Sequence, residues 1–276
     1  NQSYSSLATI LTAEIVRRIS GISIQEFVRK EIASPLGLAS TGLGSQGFDS
    51  ARIVRCTLPD YQQGTDFGWN SRYWQEFGSP TGGLFSTPTE YAVLCAMMLN
   101  GGSHEGVRIL SPASARMMTT NRLDDMPDMP EPLRRTKPWG LGWRLNHLGL
   151  ADSWGDLLDR QVFGHTGSSG NVVWMNPATQ GFCIIFSNYL RSRAPWRLVH
   201  LSNIIASAFA CWFGMNDIAS AKASFSEQAV IFERKHNWVM CWLYTGTFGS
   251  FIGYSAGFPL LAKTQFPAID ALPFVF

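Results

Sequence analysis

The 276-residue chain is poor in charge. Asp, Glu, Lys and Arg make up 15% of it and the formal net charge is +2. A balance this weak excludes a nucleic-acid surface as the chain's organising feature. Paired cysteines are missing as well. Cys56, Cys95, Cys183, Cys211 and Cys241 are dispersed with no Cys-x-x-Cys, which argues against a disulfide framework or a zinc site and fits buried thiols. No cluster of ligand-type side chains implies a metal, and no organic cofactor is implied. There is no internal repeat and no low-complexity tract. There is also no basic-then-apolar leader, and the first residue is Asn1 rather than Met, so the expectation is a stretch of a longer protein. What the chain has in quantity is apolar and aromatic surface: 45% hydrophobic residues, with 10 Trp and 18 Phe. That is enough to bury a sizeable core and excludes intrinsic disorder.

Apolar residues at Leu7, Ile10, Leu11, Ile15, Val16 and Ile19 recur at helical spacing, with Ser5-Ser6 to cap the start and Ser20-Gly21 to end it. A second helix is expected from Ser23, with Glu26 three residues on as a capping box, to a stop before Pro35. Residues 42–80 read as loop. Thr87-Pro88-Thr89-Glu90 has the form of a capped helix start, and the helix should run to Asn100-Gly101-Gly102. Ser111-Pro112 opens another short one. Residues 124–137, with four prolines counted up to Pro138, read as an exposed loop, and Trp139 to Leu145 as a strand.

The stretch from Val162 to Met175 is the centre of the pattern. A strand end runs into a corner with three glycines in seven positions (Gly164, Gly167, Gly170), then into the apolar run Val172-Val173-Trp174-Met175. A turn at Asn176–Gly181 leads to a second apolar strand, Phe182–Phe186. Such a corner lets a ligand approach main-chain N–H groups, and it presents the imidazole of His165 and the hydroxyl of Thr166 to one space. Ala194 to Phe209 is an amphipathic helix suited to packing on the sheet. Beyond it, Trp238 to Ala262 is twenty-five residues without a charge. This is long enough to span a bilayer, yet rich in glycine, so a membrane segment and a buried or poorly folded extension both stand as readings.

Four segments, in order, resemble the serine beta-lactamase and penicillin-binding-protein superfamily, in its class C beta-lactamase, D-alanyl-D-alanine carboxypeptidase and EstB-type esterase branch. Tyr4-Ser5-Ser6 looks like the family's Tyr-x-Asn. Pro35-Leu36-Gly37-Leu38-Ala39-Ser40-Thr41 looks like its Pro-Leu-Gly-Met-x-x-Thr. Gly82-Gly83-Leu84-Phe85-Ser86-Thr87 looks like its Gly-Gly-Leu-x-Ser-Thr. Gly164-His165-Thr166-Gly167 looks like its Lys-Thr-Gly in the His variant of esterase-like members.

The resemblance implies an α+β fold: an antiparallel sheet with flanking helices, plus a mostly helical subdomain, incomplete at the N-terminus. It implies a hydrolase domain over about residues 1–210, helical to about 138 and sheet with a C-terminal helix from about 139, followed by an apolar extension over 211–276. It also implies acyl-enzyme chemistry on a small ester, amide or beta-lactam, in a periplasmic or extracytoplasmic setting. Tyr4 would be the proton shuttle and His165 its polarising partner or a carboxylate ligand. Ser6, where the family has Asn, would bind substrate together with Thr166 and Gly167. The N–H of Ser168 would be one oxyanion-hole donor, worth about 3–4 kcal/mol. The family's nucleophile lies in a Ser-x-x-Lys motif upstream of the tyrosine. No serine here has Lys three residues on; the nearest miss is Ser220-Ala221-Lys222. The expectation is a chain that retains the cleft without the nucleophile. A non-catalytic binding module and a membrane-anchored surface domain are the alternatives.

Overall fold

The computed structural model describes residues 5–136, 138–146 and 154–214, the side chains of residues 209–214 excepted. The chain divides into two units, Asn1–Gly214 and Met215–Phe276. The uncharged run 238–262 lies outside the described residues, and no described helix is long and apolar enough to cross a membrane.

Helix α1 (Ser6–Ser20) begins where Ser5 Oγ accepts the Leu7 N–H at 3.2 Å, and ends at Gly21 in the left-handed conformation. Ser23 caps α2 (Ile24–Val28) by accepting from Glu26 N, but the helix expected to reach Pro35 widens into π turns over Arg29–Ala33. The loop reading of 42–80 needs correction at Gly42–Leu43, which is strand, at the 3-10 turns Ser50–Arg52 and Asp60–Gln62, and at one helix. Ser71 accepts the Trp74 N–H and Gly78 closes the far end at φ 58°, making α3 (Arg72–Phe77) of a segment too short to show a period. Strand β1 (Gly42–Leu43) pairs antiparallel with β2 (Leu84–Phe85). Thr87 caps α4 (Pro88–Leu99) as its sequence dictates. A small hairpin of β3 (Ser103–His104) and β4 (Val107–Arg108) follows, then α5 (Pro112–Met118).

Residues 124–136 are mostly exposed, as expected, yet not without structure. Leu123 is buried within a 3-10 turn, and α6 (Glu131–Thr136) forms beyond Pro130 with Arg135 bonded to Glu131 at 3.1 Å. The strand expected over 139–145 contracts to β5 (Arg144–Leu145). Gly142 at φ 81° turns the chain so that Trp139 bridges back to Arg144, and Gly140 packs so tightly on the Met118 carbonyl that a Cβ would lie 2.0 Å from it.

The main sheet runs β5-β6-β7-β8, all antiparallel, with β6 Phe163–Thr166, β7 Val172–Asn176 and β8 Gly181–Ile185. Every residue of β7 is buried, because both faces are covered. Val172 and Trp174 face one core with Trp154, Leu158, Val162, Cys183 and Leu198 of α7 (Pro195–Gly214). Val173 and Met175 face the other, with Phe163 and with Cys95, Met97 and Met98 of α4. That explains why the run Val-Val-Trp-Met lacks the polar alternation of a one-sided strand. Each such aliphatic side chain, fully buried, contributes about 1.5–3 kcal/mol. The indole N–H of Trp174 donates to Ser202 Oγ at 3.2 Å in the first core, which fixes α7 in register on the sheet.

Candidate active site

The site is the β6–β7 hairpin and what is tied to it. Its corner is set by backbone bonds: Gly167 N–H to Asn171 O at 2.9 Å and Gly170 N–H to Gly167 O at 3.1 Å. Gly170 is required there. Its φ is 86°, and a Cβ would lie 2.2 Å from the Tyr189 carbonyl. Asn171 Oδ1 accepts the Ser187 N–H at 2.7 Å, and Arg197 Nη2 donates to Ser187 Oγ at 2.9 Å and to Tyr189 O at 3.1 Å. The segment leaving β8 is thereby fastened to the corner.

His165 and Thr166 stand at the end of β6, half-buried. His165 Nδ1 lies 2.7 Å from the Thr166 carbonyl, an oxygen that can only accept, so Nδ1 carries the proton and the neutral ring offers Nε2 as its basic nitrogen. The Trp139 ring lies 5.7 Å from the imidazole, tilted by 41°. Arg144 is threaded between aromatics, its guanidinium carbon 5.8 Å from the Trp139 ring and 5.7 Å from that of Trp154. Arg191 Nη1 donates to Thr166 Oγ1 at 3.2 Å, and the Arg191 N–H donates to the Ser168 carbonyl at 3.0 Å.

The arrangement depresses the His165 pKa below the ordinary histidine value. Burial is the main cause; the positive charges of Arg144 and Arg191 add to it, and the bond to Thr166 opposes it. A base whose folded pKa is lowered favours the fold while neutral. That contribution is present above the ordinary histidine pKa and is lost as pH falls through the lowered value. An NMR titration of the His165 ring is expected to give a midpoint below about 6.5, the model-peptide value. Arg191→Gln should move it upward, and a midpoint above the model-peptide value would contradict this account.

The structure gathers His165, Thr166, Gly167 and Ser168 along one strand end and its turn. Ser168 is exposed; its carbonyl is taken by Arg191, while its N–H has no acceptor among the described residues. Ser6 is the first residue of α1 and exposed, with no recorded bond to the hairpin. Tyr4 lies outside the described residues. Sequence reasoning missed Arg144, Arg191 and Trp139. Arg144 reaches the site only through the β5–β6 register that sets it beside Gly164, and Arg191 only because the chain folds back after β8. Neither carries a local signal. Among the described residues no group of three His, Cys, Asp or Glu could hold a metal ion.

The two middle motif segments meet at Glu90. Its carboxylate accepts the Ser40 N–H at 2.9 and 3.0 Å and the Thr41 hydroxyl at 2.6 Å, and Thr41 Oγ1 lies 2.7 Å from Ser86 Oγ. Pro35–Thr41 and Gly82–Thr87 are thus joined through a residue that also sits in the first turn of α4.

An antiparallel sheet with helices on both faces is the architecture of the beta-lactamase/transpeptidase-like fold. A beta-lactamase from Mycobacterium bovis superposes with a TM-score of 0.53 over 78% of this chain and 65% of that one, at 21% identity. A penicillin-binding protein homolog from Caulobacter crescentus gives 0.51 over 65% and 50%, at 22% identity. These establish the fold. The Beta-lactamase family model matches residues 1–201, and the chain belongs to that family. A putative D-alanyl-D-alanine carboxypeptidase from Escherichia coli O157:H7 is 29% identical over 203 residues, covering 67% of this chain and 44% of the relative. The chain therefore spans less than half the length of that relative. A second similarity is of another kind. The nitrate/nitrite transporter NarU of Salmonella typhimurium LT2 is 49% identical over 85 residues, 31% of this chain and 18% of that protein.

Proposed function

We propose that residues 1–210 form the substrate-binding part of an acyl-enzyme hydrolase acting on a small ester, amide or beta-lactam, and that the chain as it stands does not turn substrate over. The observation that carries this is the β6 end. There, a neutral imidazole, the Thr166 hydroxyl and an unclaimed N–H at Ser168 lie along one edge, with Arg191 holding the last two in place. A substrate carbonyl laid antiparallel to β6 would direct its oxygen at the Ser168 N–H. Thr166 and the two guanidiniums would attract a carboxylate on the substrate, a role the neutral His165 ring leaves to them. Tyr4, if it converges on His165 Nε2, would shuttle the proton. The nucleophile's own N–H normally supplies the second oxyanion donor, and without a Ser-x-x-Lys segment neither attack nor that donor is available. Incubation with nitrocefin and a p-nitrophenyl ester is expected to give no turnover above the blank; turnover that Tyr4→Phe abolishes would overturn the proposal.

The uncharged run within the extension over 211–276 favours a second reading, and the similarity to NarU over 31% of the chain agrees with it. A transporter acts at a membrane, and the uncharged run Trp238–Ala262 would tether the hydrolase unit to one. Phase separation in a nonionic detergent is expected to carry the full chain into the detergent phase. Recovery of the full chain in the aqueous phase would refute this reading.

A further inference from the structure

The imidazole at the end of β6 is reached by a run of flat side chains that starts in the core on the other face of the sheet. Arg144 stands opposite Gly164, so its side chain leaves β5 on the face that holds Trp174 and Trp154. His165, one residue further along β6, pairs with Val173 and belongs to the other face. Trp139 is bridged to Arg144 and touches both residues. Its ring centre lies 5.8 Å from the guanidinium carbon and 5.7 Å from the imidazole. The guanidinium rests in turn on the buried Trp154 ring, at 5.7 Å. The backbone at Trp139 is fixed from several sides. Its N–H donates to Asn121 Oδ1 at 3.1 Å, and its carbonyl accepts the Arg122 N–H at 2.8 Å. The next residue, Gly140, is packed against the Met118 carbonyl. Asn121 is itself buried, its amide bonded to Asp124 Oδ1 at 3.0 Å and to the Arg134 carbonyl at 3.3 Å.

The Thr166 carbonyl holds His165 Nδ1 and thereby selects the tautomer. A hydrogen bond to one ring nitrogen does not by itself set the tilt of the ring, because histidine χ2 is broad. A large flat neighbour beside the ring does. We propose that Trp139 and Arg144 are positioning residues for His165. Trp139 fixes the plane of the imidazole, and with it the direction of Nε2; Arg144, lying between Trp139 and Trp154, fixes Trp139. Arg144 acts here through its planar guanidinium, which stacks on aromatic faces as a lysine ammonium cannot. Its charge also reaches the imidazole, as does that of Arg191 from the segment after β8. The use of Nε2 as a base rests on the acyl-enzyme reading above; the fixing of the ring does not.

The test follows the His165 ring by NMR in the full chain and in four variants: Trp139→Leu, Trp139→Phe, Arg144→Lys and Arg144→Gln. In the parent, the carbon-bound ring protons of His165 should be displaced by the Trp139 ring current, and the ring nitrogens should show the Nδ1–H tautomer alone. Trp139→Leu is expected to give a mixture of the two tautomers. Trp139→Phe, which keeps a ring, should retain the single tautomer. Arg144→Lys keeps the charge, yet should lose the ring-current displacement as fully as Arg144→Gln does. A single tautomer in Trp139→Leu overturns the proposal, and so does an Arg144→Lys variant indistinguishable from the parent. Unchanged methyl resonances of Val172 and Val173 identify the folded variants; if Trp139→Leu does not fold, the two Arg144 variants decide. Nitrocefin turnover plays no part in this readout. Failure of the acyl-enzyme reading leaves the positioning standing, and a His165 ring unmoved in every variant removes the positioning and leaves that reading intact.

Discussion

Gly164→Ala is expected to cost at least about 3 kcal/mol, the upper range for overpacking a core, and to loosen the His165 corner before the rest of the unit. A Cβ at this position would lie 2.1 Å from the Val173 carbonyl and 2.8 Å from the Trp174 Cα, both backbone atoms of the neighbouring strand. No rotamer change relieves such a contact; β6 would have to move away from β7. The two strands pair over four residues, with His165 opposite Val173 and Thr166 opposite Val172, so displacement at Gly164 propagates directly to both. Chemical denaturation followed by tryptophan fluorescence would measure the loss, with Trp174 buried beside the substituted position. A melting midpoint within about 2 °C of the parent would contradict it, since 1 kcal/mol corresponds to roughly 2–4 °C in a unit of this size.

Glu90→Ala should be nearly as costly, about 2–4 kcal/mol. The carboxylate accepts the Ser40 N–H and the Thr41 hydroxyl, and Thr41 is buried. Hydrogen bonds to a charged group contribute about 1.5–3 kcal/mol, and donors left buried without an acceptor add their desolvation cost. Glu90→Gln keeps an acceptor of the same reach and should lose about half as much. The effect is expected in stability alone. Equal melting of the Glu90→Ala variant and the parent chain would show that the Pro35–Thr41 and Gly82–Thr87 segments are held together by something other than this carboxylate.

These two positions mark where the sequence was legible and where it was not. Ser5, Ser23 and Thr87 each cap the helix their local pattern announces, because a cap is a contact within three residues. The β7–β8 hairpin was equally plain, since two apolar runs flank one turn. The α+β class and the family followed from four short segments whose order survives. The joining of two of those segments by Glu90 was invisible, because it depends on residues 49 and 50 positions apart. So was the arginine pair. Arg144 was read as part of a longer strand, but a left-handed glycine bends that strand and leaves only two residues to carry the guanidinium to β6. The Tyr4–His165 pairing, the most specific expectation, falls outside the described residues.

The two-sided sheet has one more consequence. Cys183 is buried in the layer beneath α7 and Cys95 in the layer beneath α4, and burial raises their thiols to about 11 and about 12, leaving almost no thiolate near neutrality. Each side of the molecule thus holds its own silent label. Pulsed alkylation followed by peptide mass analysis can time the opening of the two layers independently, and the order in which the two cysteines become reactive is the order in which the helices peel from the strands.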